Sequence, residues 1–339
     1  METLMAGDIG GTNSRLALFD SENLSQPVFT RIYPSGEYES LGVILDRFLD
    51  EVRRDFGAGL PRRAGLGIAG PVEGSHAVVT NLPWRVDADQ LVARLGMEKV
   101  VLLNDFAAVA HAVPALGPGD LHQLGGGPPQ PGHPMVVLGA GTGLGQGFLI
   151  PMENGFRVVS SEGGHSDYPP RTPQEIRLLA YLSGKFGRVS CERVVSGPGL
   201  VNIYGFLKEE EGMEESPDLA REISLGDPAA VISRRGLEGV DPICDRALDL
   251  FCSGYGSLAG NLALTVLAKG GVYLAGGIAA KILPRLESGG FRHSFENKGR
   301  FGGFLQTVPV FLITQPQPGL MGAALAASRD EPPPGTHAF

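Results

Sequence analysis

The sequence predicts an α/β protein built from two related lobes. Short apolar runs of strand length alternate with stretches whose apolar residues recur at helical spacing, the pattern of sheets covered by helices. A unit of strand, glycine-rich turn and strand occurs twice, at residues 4–19 and again at 135–150. Fifty of the 339 residues are glycine, about twice the roughly 7% of average usage, and they cluster at the ends of predicted strands. A chain of this length also tends to divide its core between two domains.

In order along the chain, residues 4–9 and 16–19 form a hairpin across Gly-Gly-Thr-Asn, and residues 28–33 add a third strand. Residues 37–56 carry a helical stripe of Leu41, Ile44, Leu45, Phe48, Leu49, Val52 and Phe56. A buried strand is expected at 64–69, then a helix capped by Asp87 and closed by Gly96. A strand at 99–103 runs into a helix at 106–113 that Pro114 stops. The second series begins with strands at 135–138 and 147–150. Thr172, Pro173 and Glu175 make a capping box for a helix reaching about residue 186. Helical patterns follow at 200–208 and 241–269, then a strand at 271–275, a helix at 278–286, a strand at 308–313 and a helix at 319–328. Residues 125–134 read as a loop, 209–218 as an acidic, solvated surface insertion, and 331–339 as a mobile tail.

Composition narrows the function. Lys plus Arg number 28 against 37 Asp plus Glu, a net charge of −9 without a basic run, which disfavours nucleic acid or an anionic membrane as the main partner. Cys191, Cys244 and Cys252 have no metal-ligand spacing and suit a reducing cytoplasm. The segment METLMAGDIGG lacks the basic and apolar regions of a secretory signal. The apolar stretch at 258–268, interrupted by Gly260 and Asn261, is far short of the roughly 18 residues a membrane helix needs.

Among motifs, Gly65-Leu66-Gly67-Ile68-Ala69-Gly70 fits G-x-G-x-x-G, but the glycines lie within a strand, Pro71 follows and no helix starts there, so a dinucleotide site is not expected. Neither a P-loop nor a G-x-S-x-G elbow occurs, and His165 has no Cys or His at zinc-ligand spacing. Three glycine clusters remain, around residues 8–13, 139–145 and 275–278. Any one of them could simply close a turn. Together, with Thr12 and Thr142 as hydroxyl donors, they point to nucleotide phosphates held by backbone N–H groups, and Asp8 could hold a hydrated Mg²⁺. Asn104-Asp105 ends a strand and opens a helix. A carboxylate there stays ionised beside the helix dipole, which suffices for a base in phosphoryl transfer, where positioning outweighs basicity. Glu162-Gly163-Gly164-His165 and Glu192 supply groups of the kind that can bind adjacent sugar hydroxyls, or each Glu is an ordinary surface residue. Trp84 is core or an apolar wall.

The ordered set DIGGTN, LNDF, GAGTGLG, EGGH, SGPGLVN and LAGGI, spanning residues 8–322, resembles the bacterial ATP-dependent glucokinases. The resemblance implies an actin-like (ribonuclease H-like) ATPase fold, two lobes with an inter-domain cleft, divided as 1–115 plus 315–339 and 116–314. It implies a first phosphate loop of Gly7, Asp8, Ile9, Gly10, Gly11 and Thr12, a second containing Gly141, Thr142 and Gly143, and Gly276 and Gly277 near the adenosine. Asn104, Asp105, Glu162, His165 and Glu192 match the family's glucose ligands, with Asp105 in the place of the catalytic base. The implied reaction carries the ATP γ-phosphoryl group to the 6-hydroxyl of glucose with Mg²⁺, commonly in a homodimer. Unlike the related ROK proteins, the chain follows His165 with Ser-Asp-Tyr-Pro-Pro rather than a Cys-x-Cys-Gly zinc cluster, and its first strand starts too early for an N-terminal DNA-binding domain. A kinase for another hexose, and a sugar sensor without turnover, are the alternatives.

Overall fold

The computed structural model describes residues 2–57 and 59–329. The chain divides into two compact units, one of Met1–Asp120, Arg157–Ser160 and Gln315–Phe339, the other of Leu121–Phe156 and Ser161–Thr314. The tail expected at 331–339 lies outside the described residues.

In the first unit the chain runs β1 (Thr3–Ile9), β2 (Asn13–Asp20), β3 (Phe29–Pro34), α1 (Leu41–Phe56) and β4 (Arg63–Ile68). A small sheet of β5 (Val72–Glu73), β6 (His76–Val78) and β7 (Arg85–Asp87) follows, then α2 (Ala88–Leu95), β8 (Lys99–Asn104) and α3 (Asp105–Ala112). The main sheet has the order β3-β2-β1-β4-β8. Its first three strands are antiparallel, and β4 and β8 join in parallel. Helix α1 buries the predicted stripe from Leu41 to Val52, but starts after a 3₁₀ turn at Ser35–Glu37 rather than at residue 37. Asp87 caps α2 by accepting from the N–H groups of Asp89 and Gln90, and Gly96 at φ 65° closes it.

The helix Pro318–Ser328 returns to this unit and lies on α3, β1 and β4. Two glycines make its close approach possible. A Cβ on Gly65 would land on the Ala323 carbonyl, and one on Gly322 would land on the Ala108 carbonyl. The G-x-G-x-x-G match is thereby explained as packing, and β5 rather than a helix follows it.

The second sheet is built first from β9 (Leu121–Gly125), β10 (Met135–Ala140), β11 (Leu144–Met152) and β12 (Gly155–Ser161). Then follow α4 (Pro173–Phe186), α5 (Gly197–Glu209), α6 (Pro217–Leu225), α7 (Pro228–Glu238) and α8 (Pro242–Val266). The unit ends with β13 (Gly271–Ala275), α9 (Gly277–Lys281), α10 (Leu283–Glu287), α11 (Gly290–Glu296), α12 (Gly302–Thr307) and β14 (Val310–Ile313). The sheet order is β12-β11-β10-β13-β14-β9. Apart from β9, added antiparallel to the β14 edge, this repeats the first unit strand for strand. Phe251, Tyr255 and Phe291 fill the core, the last two rings meeting edge-on at 5.6 Å and 85°.

Two expectations need correction. The helix expected at 278–286 breaks at Ile282 into α9 and α10, because Pro284 has no N–H to continue the ladder and sits instead in a new first turn. The acidic stretch 209–218 is more than solvated. Glu209 binds the Tyr181 hydroxyl at 2.7 Å and Lys185 at 3.1 Å, Glu211 pairs with Arg177 at 2.6 Å, and Glu215 takes the Tyr204 hydroxyl at 2.6 Å. Its acids tie the connection back onto α4 and α5, and Pro217 opens α6 inside it.

Candidate active site

The β-sheet registers collect the predicted residues at strand ends. In the first unit Ile9 pairs with Ile68 and Ile68 with Asn104, so the turn after β1 and the Asn104-Asp105 step lie along the same sheet edge. In the second, Gly139 pairs with Ala275, which sets the turn after β10 beside Gly276 and Gly277. Both are the carboxyl ends of parallel strands, where open α/β sheets place ligands.

Each turn is closed by a bond from its first N–H, spanning three residues in one and two in the other. Gly10 N–H donates to the Asn13 carbonyl at 2.9 Å, and Gly141 N–H to the Gly143 carbonyl at 2.8 Å. The next two N–H groups of each turn, on Gly11 and Thr12 and on Thr142 and Gly143, donate to no acceptor among the described residues. Paired free N–H groups in a glycine turn form an anion-binding nest. A Cβ on Gly141 or Gly277 would meet nothing within 4 Å, so the protein's own packing does not require glycine there. Gly276 differs: its φ of 87° and a Cβ position 2.6 Å from the Ala140 carbonyl require glycine structurally. Gly7 likewise serves packing, since its Cβ would press on Leu66 at 2.7 Å, and the Ile9 side chain is wholly buried.

The Asp8 carboxylate, on a residue whose backbone belongs to the β1 ladders, makes no hydrogen bond or ion pair among the described residues. Burial pushes its carboxyl above the usual range, and Arg15, opposite it across β1 and β2, partly offsets this. Asn104 is the cap of α3: its Oδ1 accepts from Phe106 N–H at 3.0 Å and Ala107 N–H at 3.3 Å. Its amide donates to the Gly70 carbonyl at 3.2 Å, which leaves one amide hydrogen for a ligand. Asp105 is exposed at the first position of α3 and accepts the Phe106 N–H at 2.8 Å.

Glu162, His165 and Glu192 converge in the second unit. His165 Nε2 lies 3.8 Å from Glu162 Oε2, and its Nδ1 lies 4.0 Å from Glu192 Oε1. The other Glu192 oxygen accepts the Leu144 N–H at 2.9 Å, directly after the glycine turn. Gly197 N–H, at the start of α5, donates to the Gly141 carbonyl at 2.8 Å. Beside the turn is a pocket of about 460 Å³ whose lining includes Thr142, Val201, Pro228, Ile278 and Lys281. Helix α7, which supplies one wall, was not expected from the sequence. Asn81 and Gln146 were also overlooked: Asn81 adopts φ 66° beside Gly11, and Gln146 lies under Gly163. Trp84 is 4% exposed and belongs to the core.

Repeated sheets with ligand-ready turns at their strand ends are the arrangement of the actin-like ATPase class. A glucokinase family model matches residues 5–330. The glucokinase of Nostoc punctiforme is 44% identical over 97% of this chain and 100% of its own. The crystal structure of a glucokinase from an Antarctic psychrotroph has a TM-score of 0.83 at 32% identity, covering 96% of this chain and 99% of that one. A ROK family glucokinase from Streptomyces griseus, solved with glucose and AMPPNP, shares the fold at a TM-score of 0.64 and 22% identity, covering 96% of this chain and 99% of that one. The chain belongs to the glucokinase family, ATP-dependent hexose kinases that phosphorylate glucose. Among the described residues no helix is long and apolar enough to cross a membrane.

Proposed function

We propose that the two glycine turns bind the phosphates of ATP and that Asn104, Asp105, Glu162, His165 and Glu192 bind glucose. The observation that carries this reading is the repeated pair of unengaged N–H groups, Gly11 with Thr12 and Thr142 with Gly143. The pocket at Ile278 and Val201 takes the adenosine, its apolar walls suiting a base and Gly277 leaving room at its edge. Glu162, His165 and Glu192 orient the sugar through its hydroxyls. Asp105 accepts the proton of the 6-hydroxyl as that oxygen attacks the γ-phosphorus, and the bond to the β-phosphate oxygen breaks to release ADP.

Asp8 fits a water-mediated Mg²⁺, because its carboxylate has no competing donor and this ion commonly uses one or two carboxylates plus substrate phosphates. Bound there, the ion would neutralise charge on the β- and γ-phosphates. Residues 1–115 with 315–339 are proposed as the small lobe and 116–314 as the large one. A cytoplasmic homodimer completes the reading, on the strength of the family resemblance. The deciding experiment measures sugar 6-phosphate formed from a panel of hexoses with ATP, ADP or polyphosphate. Glucose with ATP should give the largest kcat/KM, and preference for another pair would overturn the assignment of substrates.

A further inference from the structure

The turn of Glu162-Gly163-Gly164-His165 rests on β11 through its two glycines. A Cβ on Gly164 would fall on the Leu144 carbonyl, and one on Gly163 would fall on Oε1 of Gln146. Gln146 faces Leu138 across the β10–β11 pair and is 3% exposed. Its amide nitrogen is buried and has no hydrogen-bond partner among the described residues.

Such a donor is costly to a folded protein, whereas an apolar side chain of similar length would fill the same space without that cost. The turn above it already uses several of its own acceptors. The Glu162 carbonyl takes the His165 N–H at 2.9 Å, and the Gly163 carbonyl takes both the Ser166 N–H at 3.0 Å and the Ser166 hydroxyl at 2.7 Å. Gln146 therefore sits under the turn with a donor that this arrangement does not satisfy.

We propose that Gln146 is a positioning residue for sugar binding: its carboxamide is the platform for Gly163, and its free amide hydrogens fix the turn once sugar hydroxyls engage Glu162 and His165. This rests on the reading of that turn as a sugar ligand. The residue touches no substrate, so it acts on glucose affinity through the turn, and the stability it forfeits in the free enzyme returns when sugar binds.

The test compares Gln146→Met with wild type by thermal melting, with and without glucose, and by steady-state kinetics. The free variant should melt roughly 2 °C higher, having lost an unpaired buried donor, and glucose should raise its Tm less than it raises that of wild type. The glucose KM should rise about tenfold while kcat and the ATP KM change less than about twofold. A glucose KM close to wild type overturns the proposal, as does an equal rise for ATP, which would indicate general distortion. Because Gly163→Ala would drive a methyl group into the carboxamide, adding Gln146→Ser to it should recover part of the lost glucose affinity; absence of recovery also counts against the platform. Glu162→Gln separates the two levels of inference. If it leaves the glucose KM unchanged, the reading of the turn fails; if it raises KM while Gln146→Met does not, only the role of Gln146 fails.

Discussion

Glycine has opposite meanings at Gly65 and Gly141. At Gly65 the missing Cβ is space already taken by the Ala323 carbonyl, so Gly65→Ala should destabilise the protein by about 3 kcal/mol or more, seen as a lower urea midpoint. At Gly141 the space is open and φ lies outside the left-handed region. Gly141→Val should therefore change the Tm by only about 1 °C while raising the ATP KM at least about tenfold, and an unchanged ATP KM would remove that turn from the nucleotide site. The sequence alone gives both residues the same letter in similar glycine-rich strings; only the neighbour across the gap separates them. Gln146 was illegible for a related reason, since one polar residue in a strand reads as solvent-facing until its burial is known.

At the scale of elements, α3 serves as both scaffold and reagent. Asn104 caps it and ties it to Gly70, whereas Asp105, exposed in its first turn, accepts the neighbouring N–H. Asn104→Ala should thus cost about 1 kcal/mol of stability in addition to glucose affinity. Asp105→Ala should cost under about 1 kcal/mol while lowering kcat by about a thousandfold or more with glucose binding retained. Calorimetric titration with glucose beside kinetics separates the two, and substantial turnover by the Asp105 variant would exclude it as the base. The hairpins and α1 were legible because period-two and helical patterns are long and bounded by turn residues. Strands β5–β7, two or three residues each, are too short to show a period. Helices α6 and α7 were hidden by their polar surroundings, although Ser216-Pro217 and Asp227-Pro228 carry capping signals that could have located them.

Over the whole molecule, one buried histidine should dominate part of the acid response. His111 is 6% exposed, its Nδ1 has no partner among the described residues, and burial, assisted by Arg329, pulls its pKa down from 6.5 to about 4. Between those values the unfolded chain binds a proton that the folded chain refuses, so stability present at pH 7 falls as the pH drops through 6.5 and is lost by about 4. The loss should approach about 3 kcal/mol. Urea midpoints from pH 7 to 4.5 should fall less steeply for His111→Leu than for wild type, and identical slopes would refute the assignment. The close seat of the helix Pro318–Ser328 on Gly65 and α3 also bears on biosynthesis. At 5–20 residues per second, roughly 10–40 s separate translation of Asp120 from that of this helix. The nascent N-terminal segment must spend that interval with an uncovered apolar groove, making it the stage at which chaperones have most to gain by intervening.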